Sequence, residues 1–265
     1  MKVKTPAETI GAALEAGCGK ASLTCYTSLR RLIGLSVVAG AYIALGGALS
    51  FVVGSGFPGV AAANPAFPKL MSALMFPIGL ILIVILGGEL FTGNNALLMP
   101  PVIRKRVSPL RVAANWTIVY LGNAAGAIAF AAIMVWGCDL TSAEPWHSAA
   151  LRLGEAKCSM PWLTVFVKGI GANWCVCLAV WLALSGHTLI EKMAGCFLPV
   201  MAFVALGYEH CIANMFFIPL SMMEGAQISI VQFITANLIP ATLGNIIGGG
   251  LFVGTLFTWL HTRDC

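Results

Sequence analysis

Charge is what this sequence has least of. Fifteen Lys or Arg and ten Asp or Glu are spread over 265 residues, so 9% of the chain is charged and 59% is apolar. A soluble domain carries roughly 25% charged residues, which excludes a water-facing globular enzyme. The mean hydropathy of +0.91 excludes a disordered chain too, since such chains are polar throughout. None of the nine cysteines forms a Cys-x-x-Cys pair, and no His/Cys/Asp group has metal-ligand spacing. Cys138 and Cys158 bracket one loop and would pair only in an oxidising compartment; most of the others read as small apolar residues. There is no nucleophile elbow, Walker loop or dinucleotide fingerprint, and no activated serine or aspartate pair. Basic residues do not interleave with aromatics as nucleic-acid surfaces require. No metal, cofactor, nucleic-acid partner or enzymatic activity is expected. What remains is an all-α membrane protein.

Charge-free runs say how often it crosses. A spanning helix needs about 20 mostly apolar residues, and six such segments fit: 32–54, 70–100, 112–137, 162–185, 194–222 and 230–258. The first 30 residues carry charges throughout, so a cleavable signal peptide is not expected. With six spans both termini share a side. That side holds Lys2, Lys4, Lys20, Arg30, Arg31, Arg104, Lys105, Arg106, Arg111, Lys192 and Arg263; the other holds Lys69, Arg152, Lys157 and Lys168. Positive charge stays inside, which predicts cytoplasmic termini in a plasma (inner) membrane. The whole chain reads as one channel domain. Its parts are an N-terminal amphipathic helix over 1–29, a first repeat over 30–137 and an outer loop over 138–161. A second repeat over 162–258 and a cytoplasmic tail over 259–265 follow.

The word repeat rests on two matches. Spans two and five are each 31 residues, about 46 Å as straight helices, against an apolar core of about 30 Å. Both carry a glycine and a glutamate near the middle. GGELFTGNN (Gly87 to Asn95) aligns with GYEHCIANM (Gly207 to Met215) at an offset of 120, which puts Gly87, Glu89 and Asn94 on Gly207, Glu209 and Asn214. ANWTIVYLGNAAG (Ala114 to Gly126) aligns with ANLIPATLGNIIG (Ala236 to Gly248) at an offset of 122. Two three-span halves inserted in opposite directions form an inverted repeat. A helix break at membrane depth is tolerated only where protein or a water-filled path receives the freed backbone groups. The breaks, expected near 87–95 and 207–214, should therefore meet near the midplane and line a path. Gly122/Gly126 and Gly244/Gly248 have the spacing that lets helices touch closely.

Few residues remain to do chemistry. His210 sits in the second break beside Glu209 and four residues before Asn214, where an imidazole can exchange a proton with a weak acid. Thr92 occupies the opposite break, where a hydroxyl can face the path. Lys157 or Lys168 could each draw anions into an outer vestibule; on charge and position alone, neither is preferred.

GGELFTGNN, the segment from Lys157 to Asn173 in ANWCVCLAVW, GYEHCIANMFFIP and NLIPATLGNIIGGGLFVG occur in an order that resembles the formate/nitrite transporter family. The resemblance runs over nearly the whole chain and includes Thr5-Pro6-x-Glu8, which is also a helix-capping box. It implies an aquaporin-like protomer with its own pore, assembled as a homopentamer in the lipid bilayer. It implies passage of small monovalent anions or their acids, among them formate, nitrite and hydrosulfide, with protons as partners. It places the family's threonine, lysine and histidine on Thr92, Lys157 (not Lys168) and His210. The histidine-supporting groups fall on Glu209, Asn173 and Asn214, and the constrictions on Phe76, Leu80, Leu90 and Phe203. MFFIP after Asn214 and NLIP…GNIIGGG resemble formate channels more than nitrite channels, whereas Tyr208 and Gly93-Asn94-Asn95 depart from the formate pattern. A neutral-solute facilitator of the aquaporin kind is the competing reading, but neither break has the Asn-Pro-Ala such proteins place there.

Overall fold

The structure is a computed structural model that describes residues 3–261; Lys2, Arg263 and the end of the expected tail lie outside them. Every regular element among the described residues is helical. Helix α1 (Pro6–Ser22) opens with the capping box expected from the sequence: Thr5 accepts from the Glu8 backbone, and Glu8 accepts from that of Thr5. It ends before residue 29 and is followed by a short turn and α2 (Leu29–Ser55). Next come α3 (Ala66–Leu86), loosened at Phe76–Pro77, and α4 (Phe91–Leu97). Helix α5 (Pro109–Gly137) closes the first half. The second half contains α7 (Trp162–Ser185), α8 (Leu189–Ala205), α9 (Cys211–Met223) and α10 (Ile230–His261). Between the halves, the segment expected as an outer loop holds a 14-residue helix, α6 (Trp146–Ser159).

Among the described residues, five helices (α2, α3, α5, α7 and α10) are long and apolar enough to cross a membrane. The segment expected as the fifth span, 194–222, is divided between α8 and α9. Both interruptions are shorter than expected. Helix resumes at Phe91 and at Cys211, so Thr92 lies in a first helical turn rather than in unwound chain. Each interruption begins with a left-handed glycine, Gly87 at φ 82° and Gly207 at φ 67°. A side chain is strained there, so glycine is what lets the chain turn.

Packing follows the halves. Helix α2 packs along α5 as α7 packs along α10. Close approach explains the glycines at 126 and 248: a methyl group on either would run into the backbone carbonyl of Val37 or Ile170. The chain ends share one face, where Val3, Lys4 and His261 line a common cavity. We call this the terminal face and its opposite the far face.

Candidate functional site

Two buried clusters sit beside the interruptions. On the far side, Lys157 Nζ lies 2.8 Å from Glu209 Oε1. Asn214 donates one amide to Glu209 Oε2 at 2.8 Å and to Asn237 Oδ1 at 2.7 Å. Asn237 returns the chain of bonds to the Lys157 carbonyl at 3.1 Å. On the terminal side, Lys20 Nζ lies 2.8 Å from Glu89 Oε1. Asn94 donates to Glu89 Oε2 and Asn115 Oδ1, at 2.8 and 2.9 Å, and Asn115 donates to the Lys20 carbonyl at 3.3 Å. A lone carboxylate at this depth would be costly, and a paired, hydrogen-bonded one is the usual remedy.

A second asparagine pins each interruption. Asn123 accepts from the Phe91 backbone at 2.9 Å and donates to the carbonyls of Ser36 and Glu89. Asn245 accepts from the Cys211 backbone at 2.9 Å and donates to those of Gly169 and Glu209. The first N–H groups of a helix have no partner inside it. An asparagine from another helix meets that need here, which is why α4 and α9 start where they do.

Between the clusters, Thr92 Oγ1 and His210 Nε2 are 2.9 Å apart. His210 is the N-cap of α9, and its Nδ1 accepts from the Ala213 backbone at 3.1 Å. That N–H can only donate, so Nδ1 is the bare nitrogen; a neutral ring carries its proton on Nε2 and donates it to Thr92. The Phe203 ring stacks on His210 at 5.9 Å, and Phe76 meets Phe203 edge-on at 5.6 Å.

Two cavities approach this centre. One of about 610 Å³ on the far side is lined by Lys69, Arg152, Lys157, Phe76, Phe203 and His210. One of about 560 Å³ on the terminal side is lined by Lys20, Arg31, Lys192, Leu80, Leu90 and Glu89. Each lining therefore combines three cations with several apolar side chains.

Residues 7–259 match the sequence profile described as Formate/nitrite transporter. The chain belongs to that family. Its activity is therefore transport across a membrane and not catalysis. Among relatives of this transporter, the "Probable formate transporter" of Methanothermobacter thermautotrophicus is 38% identical, covering 98% of each chain. The "Formate channel FocA" of Escherichia coli K12 is 35% identical over 87% of this chain and 86% of that one. A solved "FNT family ion channel" superposes with a TM-score of 0.85 at 31% identity, covering 97% of this chain and 99% of that one. A "Pentameric formate channel with formate bound" does so with 0.79 at 33%, covering 90% and 100%.

The transporter brings together most of the residues singled out from sequence, though not always with the partners expected. His210 touches Thr92, but Glu209 and Asn214 turn away from it toward Lys157 and Asn237. Asn173 is fully buried and bonds the Thr92 carbonyl, Asn95 and the Asn245 carbonyl, so it supports the chain behind Thr92 rather than the ring. Thr92 is fully buried and lines neither cavity. Lys168 leaves its carbonyl to the Glu209 backbone. Cys138 and Cys158 are free thiols. Reasoning from sequence missed Lys20, Asn115, Asn237, Asn123 and Asn245. The four asparagines stood in the repeated Ala-Asn and Leu-Gly-Asn runs, where the offset was the signal. Lys20 gave none beyond its charge.

Proposed function

We propose that this transporter passes small monovalent anions or their conjugate acids, formate foremost, with nitrite and hydrosulfide as the substrates next in line. It does so through a path running from the Lys157 cavity past His210 and Thr92 to the Lys20 cavity. The protomer is read as six crossings in an inverted repeat of three plus three, with the second and fifth interrupted. We further place it in the plasma (inner) membrane with both termini cytoplasmic, as a homopentamer with one path per protomer. The relatives named as a probable formate transporter and a formate channel, and the pentameric formate channel of like fold, support this reading.

The observation that carries it is the Thr92–His210 contact set between two cavities lined by cations and apolar side chains. A bare anion crossing Phe76/Phe203 and Leu80/Leu90 would face a desolvation cost of several kcal/mol. The lysines lower the cost of reaching these side chains but not of crossing them. A proton acquired on the way removes most of that cost, because the neutral acid is small and weakly solvated. His210 or water in the vestibule supplies it. A ring protonated on both nitrogens can no longer accept from Ala213, so charging His210 and loosening the first turn of α9 go together.

Proteoliposome flux with formate, nitrite and hydrosulfide side by side tests the substrate. Water or glycerol flux without formate flux would overturn the proposal in favour of a neutral-solute facilitator. His210→Asn keeps a polar group of similar reach that cannot titrate. This variant should lose proton-coupled formate uptake at acidic pH and keep anion conduction; an unchanged pH dependence would end the case for a titrating histidine.

A further inference from the structure

Helix α6 is fastened to α9 at both ends. Near its C-terminus Lys157 pairs with Glu209, one residue before His210. Near its N-terminus His147 Nδ1 lies 3.0 Å from Oε2 of Glu224, the residue that caps the end of α9. The other oxygen of Glu224 takes a short hydrogen bond from the Thr141 hydroxyl. Between these ends Ser221 donates to the Ala150 carbonyl and presses on Gly154 so closely that a methyl group would not fit there. The contacts pair falling numbers on α6 with rising numbers on α9, so the two helices run antiparallel. The ten residues from His147 to Lys157 span about 15 Å as helix. The His147 side chain is 37% exposed and that of Glu224 is 9% exposed. One end of this strap therefore touches solvent while the other holds the lysine beside the central histidine.

We propose that Glu224, acting through His147, is a positioning residue for Lys157. When His147 is charged the strap tightens and Lys157 is held on Glu209; when it is neutral the strap loosens. An imidazole is the side chain whose charge changes between about pH 5 and 8 without special surroundings. A neutral ring can offer Glu224 a hydrogen bond, and a charged ring adds Coulomb attraction across the same 3.0 Å. A cation in the first turn of α6 is opposed by that helix's dipole, so the carboxylate is what makes the charged ring acceptable. Of the segments packed on α6, α9 brings Glu224, residues 233–238 of α10 bring no titratable group, and α2 keeps Arg30 and Arg31 at its opposite end. Along the strap's own chain the charged neighbours are Asp139, Glu144, which accepts from Ser148, Arg152, which lines the far-face cavity, and Glu155. The pair is partly exposed, so its effect is a factor of a few.

The functional consequence rests on the transport reading above, but the strap itself does not, and the test separates them. Hydrogen exchange over 146–159 is measured on the full chain in lipid nanodiscs at about pH 5.5 and 7.5. After correction for intrinsic chemistry, the native strap should exchange about threefold more slowly at the acidic pH. Glu224→Gln and His147→Gln should erase that difference, and His147→Lys, charged at both pH values, should exchange slowly at both. The proposal is overturned if Glu224→Gln keeps the native difference, or if all three variants loosen equally at both pH values, as a purely structural bond would. The paired measurement is formate uptake against pH on the His147 side. It should flatten in His147→Gln at the low level and in His147→Lys at the high level. A native protein that carries no small acid would sink the transport reading while leaving the exchange result to decide the strap.

Discussion

The terminal-side and far-side clusters share one chain of contacts, to which the far side adds a second donor on Glu209 Oε2, Asn237 at 3.1 Å. Lys–Glu, Glu–Asn, Asn–Asn and Asn–carbonyl contacts recur in the same order, and the pinning asparagines 123 and 245 make the same three bonds. The difference lies at the caps. Position 90 is leucine with no side-chain cap, and its counterpart 210 is histidine, which caps α9 itself. The contacts of one cluster thus recur in the other, and the centre is made chemically one-sided by residues without a like counterpart, His210 against Leu90 and Thr92 against Ile212. The lysines differ in origin as well. Neither lies within the matched segments: Lys20 comes on a helix before the first half and Lys157 on a helix between the halves.

The comparison can be broken most forcibly at the ion pairs. Lys20→Met and Lys157→Met each strand a buried glutamate, and each should destabilise the protein by about 3–5 kcal/mol, read as a fall in melting temperature in detergent. Adding Glu89→Gln or Glu209→Gln should restore much of the loss. If only one side suffers, the clusters are alike in geometry but not in energy. A smaller effect is expected at the centre. Thr92→Val deprives the His210 N–H of its acceptor and should cost about 1–3 kcal/mol, while both lysine pairs stay intact. Loss of either pair in that variant would show that the halves communicate through the Thr92–His210 bond.

The smallest effect sharpens the contrast between the two helices that deliver the lysines. Helix α1 begins with a capping box and α6 begins at Pro145 with no side-chain cap. The Thr5 backbone N–H and then its hydroxyl hold the Glu8 carboxyl below the usual glutamate range. A lowered carboxyl contributes stability above its unfolded value, about 4.3, and loses it as pH falls through the folded value. Acidification should therefore fray the first turn of α1, seen as faster hydrogen exchange at residues 6–9, and Glu8→Gln should remove that pH dependence. The start of α6 should show no such acid-triggered fraying.

The matched segments were legible because glycine, glutamate and asparagine recur in both at nearly one offset. The interruptions were legible for the same reason, but their length was not. Phe91 and Cys211 begin helices because Asn123 and Asn245 reach them from 32 and 34 residues away, and local sequence carries no trace of that reach. Lys20 was invisible for a related reason: it meets Glu89 across 69 residues, and its charge was already accounted for by topology. Helix α6 was not legible as one because it carries no long apolar run. Its Ala, Leu, Glu and Lys are good helix formers, and it is held by contacts with α9.

Helix α1 also changes how the protein must be handled. On a hydropathy plot the first 28 residues look like a dispensable leader, and removing them before expression would be an ordinary choice. That edit would take away Lys20 and the Asn115 contact to its carbonyl, leaving the carboxylate of Glu89, which is 4% exposed in the intact chain, with only Asn94 donating to it. It would also uncover the Leu97 carbonyl, against which Gly17 sits too closely for any side chain. A purification tag is safe only if residues 5–22 are left to fold as they are, and a low yield from a shortened chain would report a missing counter-charge.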